Sequence, residues 1–218
     1  MTDSTSEAGA AVYSKNVLSI YDPFVLGFSS TFAWRSPARH TVDFYNRHVS
    51  ARHLDVGVGT GYFLDHCAFP DPEPAIVLLD MNSNSLRATA ERLARYSPKT
   101  YTADILEPVA LGEEPFGSIG LSFLFHCLPG RFPEKGTAVF TNLRPHLAPG
   151  GTLFGTTILG SGVNPNPLAR LLMGIYNNKG IFSNTADTLS GLEKTLEASF
   201  SAYTLEQNGL VAFFTGRG

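Results

Sequence analysis

From about residue 50 onward, short apolar runs alternate with stretches of helical period. HLDV (53–56) is a short apolar strand, and AIVLLD (75–80) is a continuous apolar run ending in an acid, as in a strand buried on both faces. Asn82 or Ser83 then caps a helix with Leu86, Ala90, Leu93 and Ala94 as its inner stripe. A strand over 100–103 ends at Asp104, and SIGLSFLF (118–125) is the next buried strand. A helix over 132–147 closes on Ala-Pro-Gly-Gly, a stop signal feeding the strand TLFGTTIL (152–159). The Pro/Asn/Gly-rich stretch 160–184 holds a short helix near 167–176, and another helix follows over 185–198. The strands SAYTLEQ and LVAFFTG, separated by Asn208-Gly209, close the chain as a hairpin.

Strands alternating with helices predict an α/β fold: a doubly wound, mostly parallel, seven-stranded sheet with an antiparallel C-terminal hairpin. Ahead of the sheet the rhythm is different. Residues 1–12 read as a disordered tail. Residues 13–50 read as a helical lid, rich in aromatics and poor in charge, with breaks at Asp22-Pro23 and Gly27 and a helix opened by Ser36-Pro37. Residues 51–218 form the main domain.

Composition narrows the class. The 218 residues are 43% hydrophobic, enough for one substantial core. A net charge of −3 offers no basic surface for phosphate backbones, so no nucleic-acid partner is expected. The two cysteines, Cys67 and Cys127, form neither a CxxC pair nor a zinc-spaced cluster, which predicts neither a disulfide framework nor a metal. No signal peptide or membrane-length apolar run is visible, so a cytoplasmic, membrane-free monomer or homodimer is expected.

The strongest chemical signal is His53-Leu-Asp-Val-Gly-Val-Gly-Thr-Gly61, a strand running into a glycine-rich turn. In open parallel sheets ligands bind beyond the carboxyl ends of the strands, where glycines let the backbone approach. A nicotinamide fingerprint GxGxxG would need glycine at position 62, but Tyr62 stands there. Asp55, two residues before the first glycine, suits a ligand carrying an ammonium group. The hxDxGxGxG pattern resembles motif I of the class I methyltransferases, which use S-adenosylmethionine.

The resemblance covers about residue 52 to the C-terminus and includes the Leu147-Ala-Pro-Gly-Gly151 turn; Phe116-Gly117 departs from the Phe-Asp often found there. It implies a cofactor cradle of Asp55, Gly57, Gly59 and Gly61. Asp80, roughly 25 positions after Asp55, would grip the ribose hydroxyls. Asp104 would pair with the adenine amine, with Met81 and Ile105 on the faces of the ring. Tyr13 or Tyr21 of the lid would reach the cofactor carboxylate. His126, after the fourth strand, is the candidate base for a hydroxyl acceptor. An acceptor pocket built from the lid (Tyr13, Tyr21, Phe24, Phe28, Phe32, Trp34) and from Met173, Tyr176, Asn177 and Phe182 implies a small, largely apolar methyl acceptor. The competing readings are an RNA or protein methyltransferase, a binding scaffold that transfers nothing and, more distantly, a nicotinamide oxidoreductase.

Overall fold

The computed structural model describes residues 22–218, with side chains from residue 28 onward. A π-helical segment, Asp22–Ala33, runs without a break through Gly27. Helix α1 (Ala38–His48) follows, starting one residue past Pro37, which serves as its N-cap and not as its first helical residue. Strand β1 is Arg52–Val56, α2 Tyr62–His66, β2 Ala75–Asp80, α3 Ser83–Arg92, β3 Lys99–Thr102 and β4 Phe116–Ser122. Then come α4 (Glu134–Leu143), β5 (Leu147–Ile158), α5 (Pro167–Asn178), α6 (Leu189–Ser199), β6 (Ala202–Asn208) and β7 (Val211–Arg217).

All seven expected strands form a single sheet of order β3-β2-β1-β4-β5-β7-β6. The first five are parallel, while β7 runs antiparallel between β5 and β6. Residue alternation divides the interior in two. Leu54, Val77, Leu79, Ile119 and Leu121 face one side, with Phe140 of α4 and Leu192 of α6. Ile76 and Leu78 face the other, with Phe44 of α1, Leu64 of α2 and Leu86 of α3. This is why the β2 run looked apolar at every position. Among the described residues no helix is long and apolar enough to cross a membrane.

Four boundaries differ from the sequence reading, each for a local reason. β4 stops at Ser122 because Phe123 adopts a left-handed φ of 58°, and the chain turns into a 3-10 turn, Phe125–Cys127. His126 therefore sits in that turn and not at a strand end. β5 starts at Leu147, earlier than expected: Phe116 pairs with Leu147 and Ser118 with Thr152, so residues 148–151 bulge out opposite Gly117. α6 starts at Leu189, because the Thr188 hydroxyl caps it by accepting from the Gly191 amide at 3.0 Å. α3 ends at Arg92, and Ala94 is exposed in the 3-10 turn beyond it rather than on an inner stripe.

Two attachments fasten segments outside the sheet to its last strands. The β6–β7 turn is Gly209-Leu210, with Asn208 already paired to Val211. Its Leu210 amide donates to the Trp34 carbonyl at 2.9 Å, and a Cβ on Gly209 would stand 2.3 Å from that same oxygen. The second attachment holds the connection after β5. Asn184 is fully buried and donates to the Ile158 carbonyl at 3.0 Å, while the Asp187 carbonyl accepts from Gly160 and Ser161 at 3.1 and 3.0 Å.

Candidate functional site

The glycine turn joins β1 to α2 at the carboxyl edge of the sheet. Gly57, Gly59 and Gly61 all have positive φ, at 71°, 55° and 73°. They do different work. A Cβ on Gly57 would meet Leu124 at 2.7 Å and one on Gly61 would meet Thr89 at 2.7 Å, whereas one on Gly59 would meet nothing within 4 Å. The outer two glycines thus seal the turn against β4's exit and α3, and the middle one opens it to a ligand. The tight packing against a neighbouring helix falls to Gly61, which explains how Tyr62 is tolerated. Its ring stacks on His66 at 4.0 Å, away from that contact.

Asp80 ends β2 beside this turn. Its Oδ1 accepts from the Asn82 amide at 2.8 Å. Burial pushes the carboxyl up to about 6, although the amides of Asn82, Gly59 and Val58 pull it down, and the Asp55 charge adds to the rise. Such a group gains from any further hydrogen-bond donor. Met81, the next residue, is 37% exposed at the lip of the edge. Asp104 lies beyond the end of β3, which stops at Thr102, and its Oδ1 accepts from the Leu106 amide at 2.9 Å. Ile105 is a core residue, 4% exposed, and its carbonyl accepts from Asn142 at 2.8 Å. Asp55, Asp80, Met81 and Asp104 therefore lie at or just past the carboxyl ends of three adjacent strands, while Ile105 belongs mainly to the interior. An open backbone cradle flanked by a high-pKa acid fits a nucleoside with a diol. Tyr13 and Tyr21 lie outside the described residues.

His126 departs from the part expected of it. The ring is 4% exposed, and burial and then the Lys135 charge lower its pKa to about 3. The Ile158 amide donates to Nδ1 across a long 3.5 Å, an arrangement that leaves the neutral ring's proton on Nε2. A nitrogen carrying its proton cannot accept another, and a pKa near 3 is far below the range of an efficient base at pH 7. The His126 ring packs as part of an aromatic wall. It meets Phe182 edge-on at 4.4 Å, and Phe182 in turn meets Tyr176 at 4.9 Å and Trp34 at 6.0 Å. Of the aromatics expected on the acceptor side, Trp34, Tyr176 and Phe182 thus meet around the His126 ring. Phe28 and Phe32, 44% and 58% exposed, stand on the π-helical segment.

A buried ion pair holds this wall. Lys135 Nζ of α4 lies 2.6 Å from Asp187 Oδ2, with both side chains almost wholly buried. The same ammonium donates to the carbonyls of Leu128 and Ser183 at 3.3 and 3.1 Å, and the Ser183 amide donates to the His126 carbonyl at 2.7 Å. Burial pushes Asp187 up and Lys135 down, and each charge opposes the push on the other. Neither residue carries a local motif in the sequence.

Nor was the surrounding of Asp55 legible there. Tyr45 of α1 donates to Asp55 Oδ1 at 2.8 Å, and His53 Nε2 lies 3.4 Å from the same oxygen. His53 is fully buried.

Comparison with known proteins agrees with this geometry. Residues 54–153 match a family model described as a methyltransferase domain. The chain is 39% identical to the demethylluteothin O-methyltransferase of Streptomyces thioluteus, over 94% of this chain and 89% of that one. It is 33% identical to the physcion biosynthesis cluster O-methyltransferase of Aspergillus chevalieri, over 96% and 94%. Among solved structures, the DhpI-SAH complex aligns with a TM-score of 0.72 at 12% identity, covering 100% of this chain and 98% of that one. The N-methyltransferase NodS of Bradyrhizobium japonicum, in complex with S-adenosyl-L-homocysteine, aligns at 0.64 and 16%, covering 99% of each. The glycine cradle, the acids along the strand ends and this similarity over nearly the whole length place the chain in the class I methyltransferase family, enzymes that take their methyl group from S-adenosylmethionine.

Proposed function

We propose that this enzyme methylates a hydroxyl oxygen of a small, largely apolar metabolite, without a nucleic-acid or membrane partner. The observation that carries this reading is the wall of His126, Phe182, Tyr176 and Trp34, which is aromatic and carries no carboxylate. The relatives named as O-methyltransferases support the accepting atom.

The bound cofactor supplies a methyl group already activated by a positive sulfur. That methyl group would pass to an acceptor oxygen that has already given its proton to solvent before it is enclosed. In this reading Asp55 takes the cofactor's ammonium and Gly59 lets the backbone approach. Asp80 accepts both ribose hydroxyls, and Asp104 accepts from the adenine amine beside Met81. Alignment then carries most of the rate, up to about 7–11 kcal/mol in favourable cases. The aromatic wall excludes water, and His126 Nε2–H orients the acceptor by donating to it. A hydroxyl acidic enough to ionise near neutral pH suits a site whose histidine is so weak a base.

The test is a methyl-transfer assay with labelled S-adenosylmethionine against acidic phenols and enols, aliphatic alcohols, amines and bulk RNA. Label appearing on the first group supports the proposal. Label appearing only on amines or RNA overturns it.

A further inference from the structure

Asp55 sits at the centre of a hydrogen-bond chain that crosses three elements. The Tyr45 hydroxyl donates to its Oδ1 at 2.8 Å, and His53 Nε2 approaches the same atom at 3.4 Å. On its other side His53 Nδ1 lies 2.7 Å from the hydroxyl of Ser118 on β4, which lies 2.9 Å from that of Ser50. The Ser50 amide also donates to the Ser118 hydroxyl oxygen, at 2.8 Å.

Counting hydrogens orders the chain. A carboxylate can only accept, so the imidazole presents a hydrogen to it from Nε2, and Nδ1, facing the Ser118 hydroxyl, takes a donor. Ser118 supplies it. The single hydroxyl hydrogen of Ser118 is thereby committed to His53, so its oxygen takes the Ser50 amide. Every donor in the run from Ser118 through His53 points toward Asp55, and Tyr45 points there from the opposite side. Burial and the Asp55 charge raise the Tyr45 pKa well above that of an ordinary tyrosine, which keeps its hydroxyl a donor.

The space for this arrangement is made by Gly120, which pairs with Asp55 in the β1–β4 ladder. A Cβ there would come within 2.8 Å of Asp55 Oδ1 and 3.0 Å of His53 Cε1. Both donors end on Oδ1, and neither takes Oδ2. Asp55 itself is 5% exposed, too enclosed for bulk water to fix its rotamer.

We propose that Tyr45 and His53, the latter set by Ser118, are positioning residues that fix the Asp55 carboxylate through Oδ1 and so hold Oδ2 toward the cofactor's ammonium. The proposal rests on the reading of Asp55 as the ammonium-binding acid. Its consequence is a selective one. Loss of either donor leaves the nucleoside part of the cradle untouched and weakens only recognition of the ammonium.

The test measures affinity by calorimetry for S-adenosylhomocysteine and for its deamino analogue, which lacks only the ammonium. Tyr45→Phe keeps the ring and its packing while deleting one donor. His53→Gln keeps a donor near Nε2, and His53→Leu removes it. Tyr45→Phe and His53→Leu should each weaken S-adenosylhomocysteine about tenfold, as loss of a hydrogen bond to a charged group implies. Binding of the deamino analogue should change less than twofold, and His53→Gln should recover most of the loss. Equal loss for both ligands, or no loss for either, overturns the proposal. Should Tyr45→Phe not fold, the comparison of Gln with Leu at position 53 decides alone. Wild-type protein binding the two ligands equally would overturn the assignment of Asp55 itself.

Discussion

Cofactor affinity should fall steeply in mild acid, and Asp80 sets where. The carboxyl titrates near pH 6 in the free protein because burial opposes its charge. Accepting two ribose hydroxyls requires the ionised form, and those two donors would lower its pKa once the ligand is bound. Protons and ligand therefore compete for the same group. Above pH 7 the dissociation constant should be flat, and below 6 it should rise with a slope approaching one decade per pH unit. Between pH 8 and pH 5 the loss works out at about tenfold, from the ratio of protonated to ionised acid at pH 5.

Stability should move the opposite way. A folded pKa raised above the unfolded one makes a contribution that is complete below the unfolded value and is lost as pH rises through about 6. At neutral pH the ionised acid then costs the free protein up to about 3 kcal/mol, from a shift of roughly two units. Asp80→Asn should accordingly melt at or above the wild-type temperature, bind S-adenosylhomocysteine about 10 to 150 times more weakly, and lose the pH dependence. The assay is calorimetry with S-adenosylhomocysteine from pH 5 to 8, paired with thermal melts. A wild-type dissociation constant constant across that range, or a variant that keeps the acid limb, refutes the role given to Asp80.

Lys135→Met should leave the Asp187 charge buried and unpaired, a loss of about 3–5 kcal/mol that appears as a melting point roughly 10 °C lower. Adding Asp187→Leu should recover much of it in the same melting assay, since the uncompensated charge is then gone. Gly59→Ala introduces a Cβ that meets no protein atom, so thermal melts should show only the strain of a positive φ, about 1 kcal/mol. Its S-adenosylhomocysteine affinity, read by calorimetry, should nevertheless fall more than tenfold, and equal effects on stability and binding would mean the turn faces no ligand. His126→Asn should lower turnover less than tenfold with a labelled acidic hydroxyl acceptor. A loss of about a hundredfold or more would restore the histidine as a base.

What the sequence made legible were features whose cause is local. The period-two and period-3.6 runs, the Gly57-x-Gly59-x-Gly61 turn and the acid closing AIVLLD depend on neighbours within a few positions, and the strands appear where that pattern puts them. The hidden features arise where distant residues meet. Lys135 and Asp187 are joined across α4 and the loop before α6, and nothing beside either one marks it as buried. Nothing beside Tyr45 on α1 or His53 on β1 marks their shared partner, and only the fold sets Asp55 between them. For His126 the sequence shows the position but not the environment. Its position suggested a base, but the chain turns at Phe123 and buries the ring, and proton affinity depends on that burial, not on sequence position.

The strand order has a bearing on how the protein emerges from the ribosome. The seventh strand in sequence order, β7, inserts between β5 and β6, so the sheet stays open there until β7 is in place. The turn just before it is also what fastens the Trp34 carbonyl near the other end of the chain. A nascent chain can therefore assemble β1 to β4 and the glycine turn early, while the aromatic wall around Trp34 waits for β7. Contacts this distant in sequence form slowly, because the intervening chain must be ordered before they repay its lost entropy. The sheet edge that carries the glycine turn is thus formed from neighbours close in sequence, and the wall around Trp34 closes last.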